Sequence, residues 1–165
     1  MATINFKGNP IQTSGSLPAV GSKAPDFDLL NAGLGRVNLG SFAGVTTVFN
    51  IFPSIDTGIC AMSVREFNKR AASLEGARVV NVSEDLVFAQ KRFCGAEGIE
   101  NVESLSAFRS SFAQDWGLEM TEGPLKGLTS RAIVVVDGTG TVTYTEQVPD
   151  IVQEPDYAAA LAALG

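Results

Sequence analysis

The run Val45-Thr-Thr-Val-Phe-Asn-Ile-Phe52 is β-branched or aromatic almost throughout and shows no period-two alternation. A strand of that composition is buried on both faces and belongs in the middle of a sheet whose two sides are covered. Pro53 ends the run, because proline has no N–H to give to a ladder. A second apolar run follows at Ala77-Arg-Val-Val-Asn-Val82 and a third at Arg131-Ala-Ile-Val-Val-Val136. Between the first two, Met62, Val64, Phe67 and Ala71 form one face against Arg65, Glu66, Lys69 and Arg70. That spacing predicts a helix from Ile59 or Cys60 to Leu74.

The remaining elements fill in around these strands. Thr3–Phe6 and Pro10–Thr13, joined through Lys7-Gly-Asn9, read as an N-terminal hairpin. Residues 14–23 are a Gly, Ser and Pro connector, and Phe27–Leu30 and Val37–Leu39 are short strands around a turn at Gly33-Leu-Gly35. Ser41–Gly44 is a loop or one short helical turn. Ser83 or Asp85 is placed to cap a helix over Leu86–Phe93, with Cys94-Gly95 as its end. Val102–Leu105 is a strand, and Ala107–Trp116 is helical with Gly117 as its stop. Asp137-Gly-Thr-Gly140 turns the third apolar run back into Thr141–Thr145, and Asp156–Leu164 closes the chain as an Ala-rich helix. This order is α/β, with a central mixed sheet flanked by helices: a thioredoxin-like pattern with an N-terminal β-hairpin. No linker, repeat or low-complexity tract divides residues 1–165, so a single domain is expected.

The chemistry open to the chain is narrow. It has no histidine, which excludes Ser-His-Asp and Cys-His catalysis and every histidine-ligated metal site. Its two cysteines, Cys60 and Cys94, cannot make a four-cysteine zinc or iron–sulfur site. A net charge of −6 disfavours nucleic acid, whose phosphates need clustered Lys and Arg. Gly33-Leu-Gly35-Arg-Val-Asn38 has Asn where a dinucleotide fingerprint needs its third Gly, and no P-loop is present. No cofactor or metal is expected. No apolar stretch approaches the ~20 residues of a membrane span, and the N-terminus lacks a signal-peptide core, so the cytoplasm is the expected location. Asp56, Glu66, Glu84, Asp85, Glu97, Glu100 and Glu103 are scattered and read as solvated faces.

Three residues stand out by their address. Cys60 lies where a buried strand has ended and a helix begins, at the edge of the sheet where α/β proteins bind ligands. Unpaired N–H groups in the first helical turn favour thiolate there. Thr57, three residues earlier, has a hydroxyl within reach of the sulfur. Address alone leaves a reactive thiolate and an inert core thiol both open. Cys94, beside Lys91, Arg92 and Gly95, is either a partner for Cys60 or an incidental surface thiol. Arg131 leads a buried strand, as a solvated or salt-bridged edge residue or as a cation placed to hold a thiolate and polarise an oxygen substrate.

Pro53-x-x-x-Thr57-x-x-Cys60 resembles the peroxiredoxin active-site pattern. The wider string Asn50–Cys60 is similar to the bacterial thiol peroxidases, as are Phe88–Gly98, Gly123-Pro-Leu-Lys-Gly127, Arg131–Val136, Gly8-Asn9-Pro10 and Glu154-Pro-Asp-Tyr157. The resemblance spans nearly the whole chain. It implies a peroxidase of hydrogen peroxide and alkyl hydroperoxides. Cys60 would be the peroxidatic cysteine and Cys94 the resolving cysteine of an intramolecular disulfide. Thr57 and Arg131 would hydrogen-bond the thiolate and the peroxide, and Pro53 would shield the site. Thioredoxin would be the reductant and a homodimer the assembly. Forming the disulfide is expected to open both helix ends. Two other classes compete: a disulfide oxidoreductase, which would normally carry Cys-x-x-Cys, and a binding protein whose surface the cysteines switch.

Overall fold

The computed structural model describes residues 1–164. Its elements are β1 (Thr3–Phe6), β2 (Asn9–Gln12), β3 (Leu29–Leu30), β4 (Arg36–Val37), a 3₁₀ turn (Leu39–Phe42), β5 (Thr46–Ile51), α1 (Gly58–Ala71), β6 (Ala77–Ser83), α2 (Val87–Glu97), β7 (Glu103–Ser106), α3 (Phe112–Asp115), β8 (Ala132–Val136), β9 (Val142–Gln147) and α4 (Tyr157–Ala162). β1 and β2 pair as a separate hairpin. The other strands form one sheet in the order β4-β3-β7-β6-β5-β8-β9. β5, β6 and β7 are parallel neighbours, while β8 runs antiparallel to β5, and β9 to β8. The architecture is thioredoxin-like α/β, with a mixed sheet and an N-terminal hairpin.

The absence of alternation in β5, β6 and β8 has its counterpart in two covered faces. On one, Phe49, Ile51, Val80, Val82, Val134 and Val136 pack with Phe27, Phe112 and Trp116. On the other, Val48, Val79, Ile133 and Val135 pack with Phe67 of α1 and Ala160 of α4. Burying each such side chain contributes about 1.5–3 kcal/mol, enough for the two layers to fix the sheet.

Several elements differ from the sequence expectation. Met62, assigned to the apolar face of α1, is 43% exposed, and Cys60, Ala61 and Ser63 are buried instead. α2 runs through Cys94 and Gly95 to Glu97, and the stop is Gly98, which takes φ 66 at the C-cap. Neither Ser83 nor Asp85 caps α2, whose N-cap is Leu86. The helix expected over Ala107–Trp116 shrinks to four residues, because Arg109 adopts φ 67 and interrupts a helical path. Gly117 does end it, at φ 69, and a Cβ there would lie 2.2 Å from the Ser16 carbonyl oxygen. No helix among the described residues is long and apolar enough to cross a membrane.

Candidate active site

β5 ends at Ile51, and the chain crosses the edge of the sheet before α1 begins. Pro53 and Ile55 turn inward and are buried, whereas Asp56 and Thr57 face outward. Thr57 is the N-cap of α1 by backbone, with φ −108 and ψ 150, but its side chain does not cap. Its hydroxyl donates to the Ser54 carbonyl at 3.0 Å, so it braces the loop rather than reaching the sulfur as expected. Cys60 follows in the first turn of α1 and is completely buried. It sits in an apolar cluster with Phe52, Ile55, Ala61, Val64 and Phe93.

Antiparallel pairing explains how Arg131 reaches this thiol from 71 positions away. Register sets Ala132 against Ile51, so the start of β8 lies beside the exit of β5. The Arg131 side chain is 1% exposed. Its Nη2 donates to the Cys60 Sγ at 3.2 Å and its Nε to the Ile151 carbonyl at 3.0 Å. Nη1 is buried and has no partner among the described residues. The guanidinium therefore clamps the sulfur with one arm and leaves a donor spare beside it. A buried fork of this kind suits an oxygen-rich ligand better than a lysine would. Of the two readings of Arg131, the solvated edge residue is excluded.

Cys94 sits well inside α2, about 10 Å along the axis from its first residue at 1.5 Å per residue. Its sulfur lies 3.7 Å from the Ser104 hydroxyl on β7, and it lines an open cleft with Gln90, Lys91 and Ile99. It also packs against the apolar cluster that holds Cys60. Both cysteines are free thiols in this structure.

The profile of the redoxin family matches residues 19–161. A thiol peroxidase of Mycobacterium tuberculosis is 58% identical over 165 residues, covering 100% of this chain and 99% of the relative. A thiol peroxidase of Corynebacterium glutamicum is 55% identical over 164 residues, covering 99% of both. The crystal structure of a peroxiredoxin-like protein from Aquifex aeolicus superposes with a TM-score of 0.93 at 37% identity, covering 99% of this chain and 96% of that one. The chain belongs to the redoxin family, among its thiol peroxidases.

This thiol peroxidase has a polar ladder beneath the site that the sequence did not announce. Asn50, Asn81 and Ser104 are register partners on β5, β6 and β7. Asn50 Nδ2 donates to Asn81 Oδ1 at 3.0 Å and to the Ser63 hydroxyl at 3.2 Å. Ser63 donates to the Cys60 carbonyl at 2.8 Å, while Asn81 Nδ2 donates to Ser104 at 3.4 Å. Polar contacts thus run from the backbone of one cysteine to the thiol of the other. The available signal was an Asn inside each of two otherwise apolar strands, since a buried amide needs partners.

The carboxylates near the site differ in their surroundings. Glu66, Glu97, Asp56 and Glu103 pair with Arg70, Arg65, Arg92 and Arg78 at the surface. Glu84 and Asp85, by contrast, are half-buried at the edge of the sheet beside the Cys60 loop. Burial pushes the Glu84 carboxyl up to about 7, with the charges of Glu119 and Asp85 adding to the effect.

Proposed function

We propose that the chain reduces hydrogen peroxide and alkyl hydroperoxides, with Cys60 as the peroxidatic and Cys94 as the resolving cysteine. The Cys60 thiolate attacks the terminal oxygen of the peroxide, and the O–O bond breaks. The sulfur becomes a sulfenic acid, and the leaving oxygen departs with a proton as water or alcohol. The Cys94 thiol then displaces that hydroxyl, forming the Cys60–Cys94 disulfide and water. Thioredoxin reduces the disulfide by dithiol exchange.

The observation that carries this reading is the Arg131 Nη2 contact with the Cys60 Sγ at 3.2 Å, with Nη1 unpartnered next to it. One arm stabilises negative charge on the sulfur. The other has no acceptor among the described residues and is free for a peroxide oxygen, whose charge grows as the O–O bond breaks. In this reading the buried Pro53 shields the sulfur from water, and the exposed Thr57, braced on the Ser54 carbonyl, meets the incoming peroxide. Attack by a thiolate needs no histidine base.

The same reading takes residues 1–165 as one domain working in the cytoplasm, where thioredoxin is available, and as a homodimer. Leu86, Phe88 and Phe108 are large apolar side chains exposed beside Arg109, the composition expected of a buried interface between copies.

Counting free thiols under denaturing conditions, before and after one equivalent of cumene hydroperoxide, tests the chemistry. Both thiols are expected to vanish within seconds and to return with dithiothreitol. Thiols that persist for minutes would make Cys60 an inert core residue and overturn the proposal.

A further inference from the structure

Asp85 lies between the end of β6 and the first turn of α2, the helix that carries Cys94. A carboxylate at that place is expected to cap the helix. Both of its oxygens turn the other way, toward the segment that leads to Cys60. Oδ1 accepts from the Ser54 hydroxyl at 2.8 Å, and Oδ2 from the Ile55 N–H at 2.7 Å. The residue is in turn held from behind. Oδ2 also accepts from the Ser83 hydroxyl at 2.7 Å, and the Asp85 carbonyl accepts from the Ser106 hydroxyl at 2.5 Å. Gln90 of α2 extends the anchor, donating to Ser83 at 3.1 Å and to the Leu105 carbonyl at 2.9 Å. Asp85 is therefore rooted in β6, β7 and α2 and grips residues 54 and 55 across the edge of the sheet. Bonds to a carboxylate are roughly twice as strong as neutral ones, so this grip outweighs the other polar braces of the loop. The Arg92–Asp56 pair spans the same two segments, but both of its side chains are more than half exposed and it holds little.

We propose that Asp85 is a positioning residue for the oxidation of Cys60. It fixes the loop from Pro53 to Thr57 so that Cys60 stays seated on Arg131, and its release frees Cys60 to approach Cys94. The inference rests on the roles assigned to the two cysteines above. The two chemical steps make opposite demands on it. Attack on the peroxide needs the loop held, because the sulfur, the Arg131 donors and the incoming oxygen must align. Condensation with Cys94 needs the loop released, because the two thiols are engaged elsewhere, Cys60 Sγ by Arg131 Nη2 and Cys94 Sγ by the Ser104 hydroxyl, and a disulfide requires both sulfurs in one specific geometry. Loosening the grip slows the first step and spares the second. A residue that served stability alone would leave both rates unchanged, or lower both by one factor.

The test uses the full chain as wild type, Asp85→Ala, Asp85→Asn and Ser54→Ala. Each is mixed with hydrogen peroxide, quenched rapidly and analysed by mass spectrometry for dimedone-trapped Cys60 sulfenic acid and for disulfide. Asp85→Ala is expected to lower the second-order constant for Cys60 oxidation about 10- to 100-fold, the scale of a misplaced reacting group, with the disulfide-forming constant equal to wild type or higher. Asp85→Asn keeps an oxygen for Ile55, and Ser54→Ala removes one bond only, so both should fall between wild type and Asp85→Ala. Oxidation of Asp85→Ala at the wild-type rate, or loss of both constants by the same factor, overturns the proposal. Should Asp85→Ala fail to fold, the two milder variants decide it: wild-type constants in both overturn it, and a slowed first step alone supports it. If wild type itself forms no sulfenic acid on Cys60, the assignment of the cysteines falls and this inference with it, a result distinct from an unresponsive Asp85.

Discussion

Arg131 is the cation that meets the Cys60 sulfur, and its reach depends on a planar fork. Nη2 points at the sulfur and Nε at the Ile151 carbonyl, while Nη1 points a third way and has no partner among the described residues. A lysine would keep the charge but not the three directions. Arg131→Lys is therefore expected to fold and to lose about 10²-fold or more in kcat/KM for hydroperoxide, the scale of removing a donor from developing oxyanion charge. Steady-state peroxidase assays check this, and a loss of only about two-fold would show that charge alone suffices. Glu84 makes a different kind of prediction. Its carboxyl sits at about 7 in the folded chain against an ordinary 4.5, through burial first and then through Glu119 and Asp85. Between those two values the folded chain holds a proton that the unfolded chain has released. Stability must then fall as pH rises through that window and stay reduced above it. Glu84→Gln removes the titration. It should raise the Tm at about pH 8 and leave it unchanged near pH 4, because glutamine matches the protonated acid. Thermal unfolding at both pH values decides the point, and an equal gain at both would assign the effect to packing.

At the scale of elements, the strands that build the site were legible and the contacts between them were not. β5, β6 and β8 were evident because a strand covered on both sides must be apolar throughout, and that requirement is local. Asn50 and Asn81 break the rule for a reason that appears only when register sets them side by side. Helix ends were misjudged where two glycines competed. Gly95 and Gly98 are both plausible stops, and only Gly98 adopts the positive φ that ends α2. Asp85 was misread because a cap is a local partner, whereas its actual partners, Ser54 and Ile55, arrive from another strand's exit. Cys60, Pro53, Thr57 and Arg131 stood out through a sequence pattern, yet the pattern does not say that the Thr57 hydroxyl is turned to Ser54. The ladder gives this scale its own prediction. Asn81→Ala removes its bonds with Asn50 Nδ2, which keeps the Ser63 hydroxyl, and with the half-buried Ser104, and should cost about 1–3 kcal/mol for the two bonds together in urea unfolding. Asn50→Ala with Asn81→Ala should cost less than the two single changes together, by about 0.5–3 kcal/mol, because the second substitution removes a group whose bond to the first is already lost. Strict additivity would mean that the two amides do not support each other.

On the proposed cycle, the whole molecule must reconcile a rigid sheet with a moving thiol. Cys60 is fully buried and held by Arg131, while Cys94 is turned toward Ser104 on β7. The sheet beneath them cannot supply the motion, since β5, β6 and β8 carry the two packed layers of the core. The parts able to move lie at the edge of the sheet, held by polar contacts and by the small apolar cluster around Cys60 rather than by the two main layers. These are the loop from Pro53 to Thr57 with the first turn of α1, and the segment of α2 around Cys94, whose helix ends at Gly98. Forming the disulfide should break the hydrogen bonds from Ser63 to the Cys60 carbonyl and from Arg131 to the sulfur. Local opening of this sort exposes amides without unfolding the domain. Hydrogen exchange followed by mass spectrometry, on the reduced chain and after one equivalent of peroxide, should therefore show protection lost around Cys60 and Cys94 and retained in β5, β6 and β8. Unchanged protection at both cysteines in the oxidised chain would mean that the disulfide closes without opening the helices.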